Sequence, residues 1–340
     1  MIRTVHLPVI YADIPADEMT ARLYCGTLVS VLQDAAENCV LLVDGSHMKQ
    51  AMYAAVKNWP GHTSTTHRLQ ARAALTALVT RNRFITIGNS NPALTTCGLP
   101  GCGHALGIVA SEKPDACVYR HGCQQCVSCK VNAPWATSVD DYLSSSLNRE
   151  CRRWLERHLA DGEWDRARFE SEVWSRVFRF ATTVRVFDRY IGRHIVGQTE
   201  HGNQPLHVNA AYKRTLKWMV TSYASHAKVG MEQRFEILCG IDWDRVSPVR
   251  AREAALVLKT FARDLEAQFK VSISVQVKRE VHNAQTPHDR FLLTNQYALS
   301  IGRGADLLRD DGRVRDTSVH TLDYDVMKSV WERAEKLPEV

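Results

Sequence analysis

Six of the chain's ten cysteines fall between Cys97 and Cys129, in the order Cys97-x4-Cys102-Gly-His104, Cys117, His121 and Cys123-x2-Cys126-x2-Cys129. Thiolates paired at short spacing, and paired again about twenty residues on, suit tetrahedral zinc. Each knuckle supplies two ligands and the chain between them folds around the ion. With the two histidines there are eight possible ligands, so either one ion takes four or two ions share them all. The expected single set is Cys97, Cys102, Cys123 and Cys126, with Cys117, His121 and Cys129 as substitutes. A catalytic zinc needs an open position and a nearby base. Thiolates this plentiful predict a closed, structural site instead.

Two other readings of the cluster stay open. Cys123-x2-Cys126-x2-Cys129 also has the spacing of the first three ligands of a bacterial ferredoxin-type cluster, although the completing Cys-Pro is missing. The plain alternative is no metal, with thiols as small buried hydrophobes. That is the expectation for the scattered Cys25, Cys39, Cys151 and Cys239.

A second set of chemically capable residues begins at His288: His-Asp-Arg-Phe-Leu-Leu-Thr-Asn-Gln-Tyr-Ala-Leu-Ser-Ile-Gly-Arg-Gly-Ala-Asp. Here the chain resembles the phospholipase D superfamily, whose motif is His-x-Lys-x4-Asp-x6-Gly-Ser. His288 falls on the histidine, Arg290 on the lysine, Asn295 on the aspartate and Gly302 on the glycine, while Arg303 takes the place of the serine. More closely, it resembles the phospholipase D-like domain at the carboxyl end of MIT-domain proteins of eukaryotic cell division, and the bacterial relatives of that domain. The resemblance rests on His288-Asp-Arg290, on Gly302-Arg303-Gly304-Ala305-Asp306 and on a first strand like Val184–Ile191; it covers roughly residues 176–320.

The resemblance implies a specific chemistry. One histidine attacks phosphorus and forms a covalent phosphohistidine, and a second protonates the leaving oxygen. Basic side chains steady the charge on the nonbridging oxygens, and no divalent metal is required at the His288 site. A single motif then implies a homodimer that places two His288 side chains face to face. In this scheme His288 is the nucleophile, Arg290 and Arg303 are phosphate clamps and Asn295 is a positioning group. Arg185, Arg189 and Arg193 are further basic helpers, with Lys213, Arg214 and Lys217 beyond them. Arginine can replace lysine as a bidentate clamp with different geometry. Asn295, however, lacks the charge that supports a catalytic histidine.

What the resemblance implies for function is a metal-independent phosphodiesterase. A nuclease of a prokaryotic anti-phage or conflict system comes first, with nucleic acid as partner and other components of a defence complex around it. The alternative is a noncatalytic phosphate-binding adaptor using the same pocket, since the relatives attached to MIT domains bind acidic lipid surfaces. A third reading starts from Asp44, which ends an apolar run as in metal-dependent nucleases of the PIN type. Such sites gather several carboxylates around Mg²⁺, yet the next acidic residue after Asp44 is Glu112. A turn or helix cap is the simpler role.

The elements that must position these groups follow from periodicity. The run Cys39–Val43 predicts a buried strand, with helices at about 46–57 and 68–81 and a strand over 83–88. Residues 96–133 have no sustained periodicity. The stretch 138–180 reads as helical, with Leu147, Cys151, Trp154 and Leu155 on one face. Beyond it, strands are predicted over 183–188, 235–239 and 271–277, helices over 207–227 and 248–269, and two short strands within 289–301 around Asn295-Gln296. The expected architecture is α/β throughout. An amino-terminal α/β domain occupies 1–137 with its Cys/His module at 96–133. A helical linker spans 138–175, and a phospholipase D-like domain spans 176–340.

The whole-chain properties fit this picture. With 340 residues, two domains of ordinary size are expected. The 45% hydrophobic and 24% charged content is that of a globular chain. There is no apolar run of the roughly 18–20 residues a membrane span requires, and no secretory h-region near the start, so a cytoplasmic protein is expected. Net charge is +6 and the isoelectric point about 8.8, suited to a phosphate-bearing partner without demanding one. Between 148 and 220, fourteen Lys or Arg face nine Asp or Glu, which marks a possible polyanion surface.

Overall fold

The computed structural model describes residues 3–6, 14–43, 46–61, 63–86, 107–110, 136–153, 156–159, 163–197, 205–227, 232–280 and 290–340. The cysteine cluster 97–129, Asp44 and His288 therefore lie outside the described residues. The chain divides into two compact units, Met1–Trp154 and Leu155–Val340.

The first unit is built on a parallel sheet of β1 (Arg3–His6), β2 (Cys39–Val43), β3 (Phe84–Thr86), β4 (Gly107–Ala110) and β5 (Ala136–Ser138), in the order β3-β2-β1-β4-β5. Parallel neighbours need crossovers, and helices α1 (Glu18–Asn38), α2 (Ser46–Lys57) and α3 (Thr65–Thr80) supply them on the β1–β3 side. Asp17 caps α1 by accepting from the Thr20 N–H at 2.8 Å. Ala21, Cys25, Leu28, Leu32 and Ala35 then line one buried stripe, packed with Ala71, Leu75 and Leu78 of α3. β2 and α2 coincide with the expected elements. The 21-residue α1 has no counterpart among them. Its centre, Leu28-Val-Ser-Val-Leu32, is a short apolar run with two valines that periodicity alone does not separate from a buried strand, while its helical stripe relies partly on small residues with little hydrophobic contrast.

The second unit holds a seven-stranded mixed sheet. Its strands are β6 (Glu156–Leu159), β7 (Thr183–Phe187), β8 (Arg234–Asp242), β9 (Ser272–Glu280), β10 (Phe291–Thr294), β11 (Ala298–Ile301) and β12 (Thr317–Leu322), in the order β6-β12-β11-β10-β7-β8-β9. β7, β8 and β9 run parallel, and β10, β11, β12 and β6 continue antiparallel from the other side of β7. The stretch expected as a helical linker over 138–175 divides between the two units. It contains α4 (Ser146–Arg153), then the edge strand β6, then α5, which begins at Arg166–Phe169 and runs through a π-helical turn, Glu170–Trp174, into Ser175–Phe178. Its helical periodicity is interrupted at Asp161-Gly162, and the short run Glu156–Leu159 gains its hydrogen bonds from β12 (Thr317–Leu322), which is remote in sequence.

Helices α6 (Tyr190–Gly197), α7 (Ala210–His226), α8 (Pro248–Phe269) and α9 (Tyr324–Glu335) complete this unit. α8 shows why such local predictions succeed. Ser247 caps it, Pro248 opens it, a buried stripe runs Ala251, Ala254, Ala255, Leu258, Ala262, Leu265, and Lys270 ends it in the left-handed region at φ 56°. One core forms where Trp331 of α9 meets Phe187, Leu238, Phe291, Leu293 and Ala298. Another stacks Trp174, Phe178, Trp218 and Tyr223, with ring centroids 5.0–5.7 Å apart where they adjoin. The last residues cover the β9 edge: Arg279 N donates to Pro338 O and Val340 N to Val277 O, each at 2.9 Å. Among the described residues, no helix is long and apolar enough to cross a membrane.

Candidate phosphate site

The antiparallel turnaround at β10 brings four chain ends together. The carboxyl ends of β7 and β11 meet the starts of β10 and β12, because Phe187 pairs with Phe291, Phe291 with Ser300 and Ile301 with Val319. β7 is also where the strand order reverses: β8 and β9 extend the sheet on one side of it, and β10, the next strand in sequence, lies on the other. Open α/β sheets bind ligands outside the carboxyl ends of strands at such a reversal.

Asp188, the residue after β7, organises this end. It is fully buried. Its Oδ1 accepts from the Tyr190 N–H at 2.9 Å and its Oδ2 from the Ala305 N–H at 2.8 Å. The Arg290 Nε lies 3.7 Å from Oδ1. Burial raises the Asp188 pKa from 3.8 to about 6; the Ala305 N–H, the Arg290 charge and the Tyr190 N–H oppose that rise, and Asp306 adds to it. The same carboxylate, after burial itself, helps hold the Tyr212 hydroxyl and the Cys239 thiol protonated above their ordinary ranges.

Arg290 is fixed from three directions. Nη1 donates to the Gly302 carbonyl at 2.7 Å, Nε faces Asp188, and the guanidinium lies 4.4 Å from the centroid of the Tyr190 ring. No described residue partners Nη2, and the Arg290 side chain is 22% exposed. The Gly302–Asp306 segment folds tightly around it. Gly304 has φ +54°, and a Cβ there would stand 2.3 Å from Asp188 Oδ2 and 2.5 Å from Arg290 Cδ. Only glycine lets the backbone pass this close while also adopting that φ. Arg303 is set by its own N–H to Thr317 Oγ1 at 3.1 Å and by Nε to Asp316 O at 3.2 Å.

One strand pair over, Glu280 at the carboxyl end of β9 is buried and accepts from Arg189 Nη2 at 2.9 Å and Arg193 Nη2 at 2.7 Å. Its Oε1 would lie 2.0 Å from a Cβ at Gly240, so the glycine leaves the space the carboxylate fills.

The structure thus brings Arg290, Gly302, Arg303 and Gly304 together, and places Arg189 nearby on Glu280. It does not bring Arg185 or Asn295 to them. Arg185 lies within β7, pairs with Glu236 at 2.7 Å across the register and sits 5.4 Å from the Trp331 ring. Asn295 follows β10 at the opposite end from Arg290. There its Oδ1 accepts from the Thr182 N–H at 2.9 Å and ties down the start of β7. A positioning role for Asn295 beside Arg290 is inconsistent with about 16 Å of intervening extended chain. His288, Asp44 and the ligand set Cys97, Cys102, Cys117, His121, Cys123, Cys126 and Cys129 lie outside the described residues; among the described residues no group of three His, Cys, Asp or Glu side chains forms a metal site. Asp188 and Glu280 escape sequence reasoning because their partners, Ala305 and Arg189, are remote in sequence. For Asp188 the available signal is an acidic residue directly ending a predicted strand; Glu280 lies three residues beyond the predicted 271–277 and has no such signal.

Compared with known proteins, the chain matches no family model and no curated sequence.

Proposed function

We propose that the second unit binds the phosphodiester backbone of a nucleic acid at the carboxyl end of β7 and cleaves it without a divalent metal. The supporting observation is Arg290: its guanidinium is held by Asp188, Gly302 and Tyr190, with Nη2 unpartnered among the described residues. A fixed guanidinium with an open edge suits a nonbridging phosphate oxygen, because no reorganisation is needed when the charge arrives. Arg303, the residue before Gly304, supplies a second cation.

His288 stands two residues before Arg290 and is the proposed nucleophile. A ring nitrogen bonds to phosphorus as the bond from phosphorus to the leaving oxygen breaks. The leaving oxygen takes a proton from a second histidine, supplied by His288 of another copy of the chain. Water then attacks the phosphohistidine and releases the phosphate product. The test is cleavage of end-labelled DNA and RNA in chelator-containing buffer by wild type, His288→Ala and Arg290→Gln. Product from wild type, lost in His288→Ala, is the expected result. Equal product from wild type and His288→Ala overturns the assignment.

A second reading, a phosphate-binding adaptor without turnover, draws on Asn295. The residue at the motif's acidic position bonds to Thr182 at the far end of β10, so it gives a catalytic histidine no charge support. Retained binding with no product from any variant selects this reading.

A further inference from the structure

We infer that Tyr190 and Arg193 extend the Arg290 site into a second anion subsite, which makes the preferred ligand a strand with neighbouring phosphates rather than a lone phosphate group. This inference rests on the phosphate-binding reading above. Both guanidinia approach one ring: Arg290 at 4.4 Å and Arg193 at 5.9 Å from the Tyr190 centroid. The two guanidinium carbons are therefore separated by no more than those distances combined, about 10 Å. A stacked single strand carries a phosphate for each ~3.4 Å of rise, so neighbouring phosphates fit within that reach.

The two arginines are drawn to the ring from different directions. Arg290 is anchored to Gly302 beyond β11, and Arg193 to Glu280 at the end of β9. These strands are four positions apart in the sheet, which is roughly 19 Å at ordinary strand spacing. Two anchors so far apart hold two separate cations beside Tyr190 instead of crowding both onto one anion. Exposure points the same way. Arg189 and Arg193 both donate to Oε2 of Glu280. Arg189 is buried, whereas the Arg193 side chain is 33% exposed and donates only Nη2 to Glu280. Of the two, Arg193 is therefore the one with surface to offer an anion. Both cations thus lie within 6 Å of the Tyr190 ring centroid.

The experiment compares binding of thymidine 5′-monophosphate, thymidine 3′,5′-bisphosphate and labelled single-stranded oligothymidylate to the full chain. Wild type, Arg193→Gln, Arg193→Lys and Arg290→Gln are measured over a range of salt concentrations, with thermal melting confirming that each is folded. Arg193→Gln is expected to weaken the bisphosphate and the oligonucleotide several-fold, to reduce the salt slope by about 0.7, and to leave the monophosphate unchanged. Arg193→Lys keeps the charge and is expected to retain most of the oligonucleotide affinity. Equal weakening of monophosphate and bisphosphate by Arg193→Gln, or no effect on either, overturns the second subsite. Failure of Arg290→Gln to affect any ligand overturns the phosphate reading beneath it, and that outcome is distinct from the other two.

Discussion

Replacing Gly304 by alanine probes the joint on which the site depends. The added Cβ meets two independent obstacles. At φ +54° an L-residue is strained by about 1–2 kcal/mol. The methyl would also stand 2.3 Å from Asp188 Oδ2 and 2.5 Å from Arg290 Cδ. Relief requires the buried carboxylate to withdraw from the Ala305 N–H, leaving both groups unpaired at about 1–3 kcal/mol. The expected loss is about 2–5 kcal/mol in all. Gly312 provides the control, because its φ is +81° and nothing lies within 4 Å of a Cβ there. Gly312→Ala should lose only the backbone part. The assay is urea unfolding followed by hydrogen exchange in peptides spanning β10 and β11, with peptides from α1 and α3 as an internal reference. Gly304→Ala should unfold β10 and β11 at a urea concentration about 1 M lower than Gly312→Ala, on an m-value near 2 kcal/mol per molar. Equal midpoints for the two variants would refute the claim that Gly304 is required by its approach to Asp188 and Arg290.

Three other outcomes follow from the same geometry. The folded Asp188 carboxyl holds its proton to about pH 6 against 3.8 for an ordinary aspartate, so its contribution to stability is fully present below about pH 4 and is lost as pH rises through 6. The limit is on the order of 3 kcal/mol; Asp188→Asn, which cannot ionise and faces two N–H donors, should be less stable than wild type at pH 4 by a margin that narrows by pH 7 in urea titrations. Gly240→Ala should push Glu280 off Arg189 and Arg193, lowering stability by about 3–5 kcal/mol as for any broken buried ion pair. Combining it with Glu280→Gln should add little in a double-mutant cycle. Asn295→Ala should lose about 1 kcal/mol in unfolding while leaving oligonucleotide affinity unchanged, which calorimetry and anisotropy check separately.

The parts of the fold legible in the sequence are those with local causes. Ser247, Pro248 and the apolar stripe delimit α8, and the alternation of Val271–Val277 marks β9, which the structure extends to Glu280 through pairing with β8. α1 is hidden by a strand-like centre, and β6 by its dependence on a distant partner strand. The site divides along the same line. Arg290 and the Gly302–Asp306 segment stand out as a spaced motif. The roles of Asp188 and Glu280 arise only when the sheet aligns their strand ends with Ala305, Arg189 and Arg193. Asn295 shows the converse: motif spacing places it with Arg290, whereas strand geometry carries it to the other end of β10.

The central claim is that Arg290, by its position and not merely its charge, receives a phosphate. Arg185 offers a charge-matched comparison, since it is paired with Glu236 within the sheet and away from Arg290. The measurement is fluorescence anisotropy of a single-stranded oligonucleotide titrated with wild type, Arg290→Gln and Arg185→Gln at several salt concentrations. Arg290→Gln should weaken binding about tenfold, as loss of a charged hydrogen-bonded contact does, while Arg185→Gln stays near wild type. Equal losses from both variants, or none from either, would contradict the assignment.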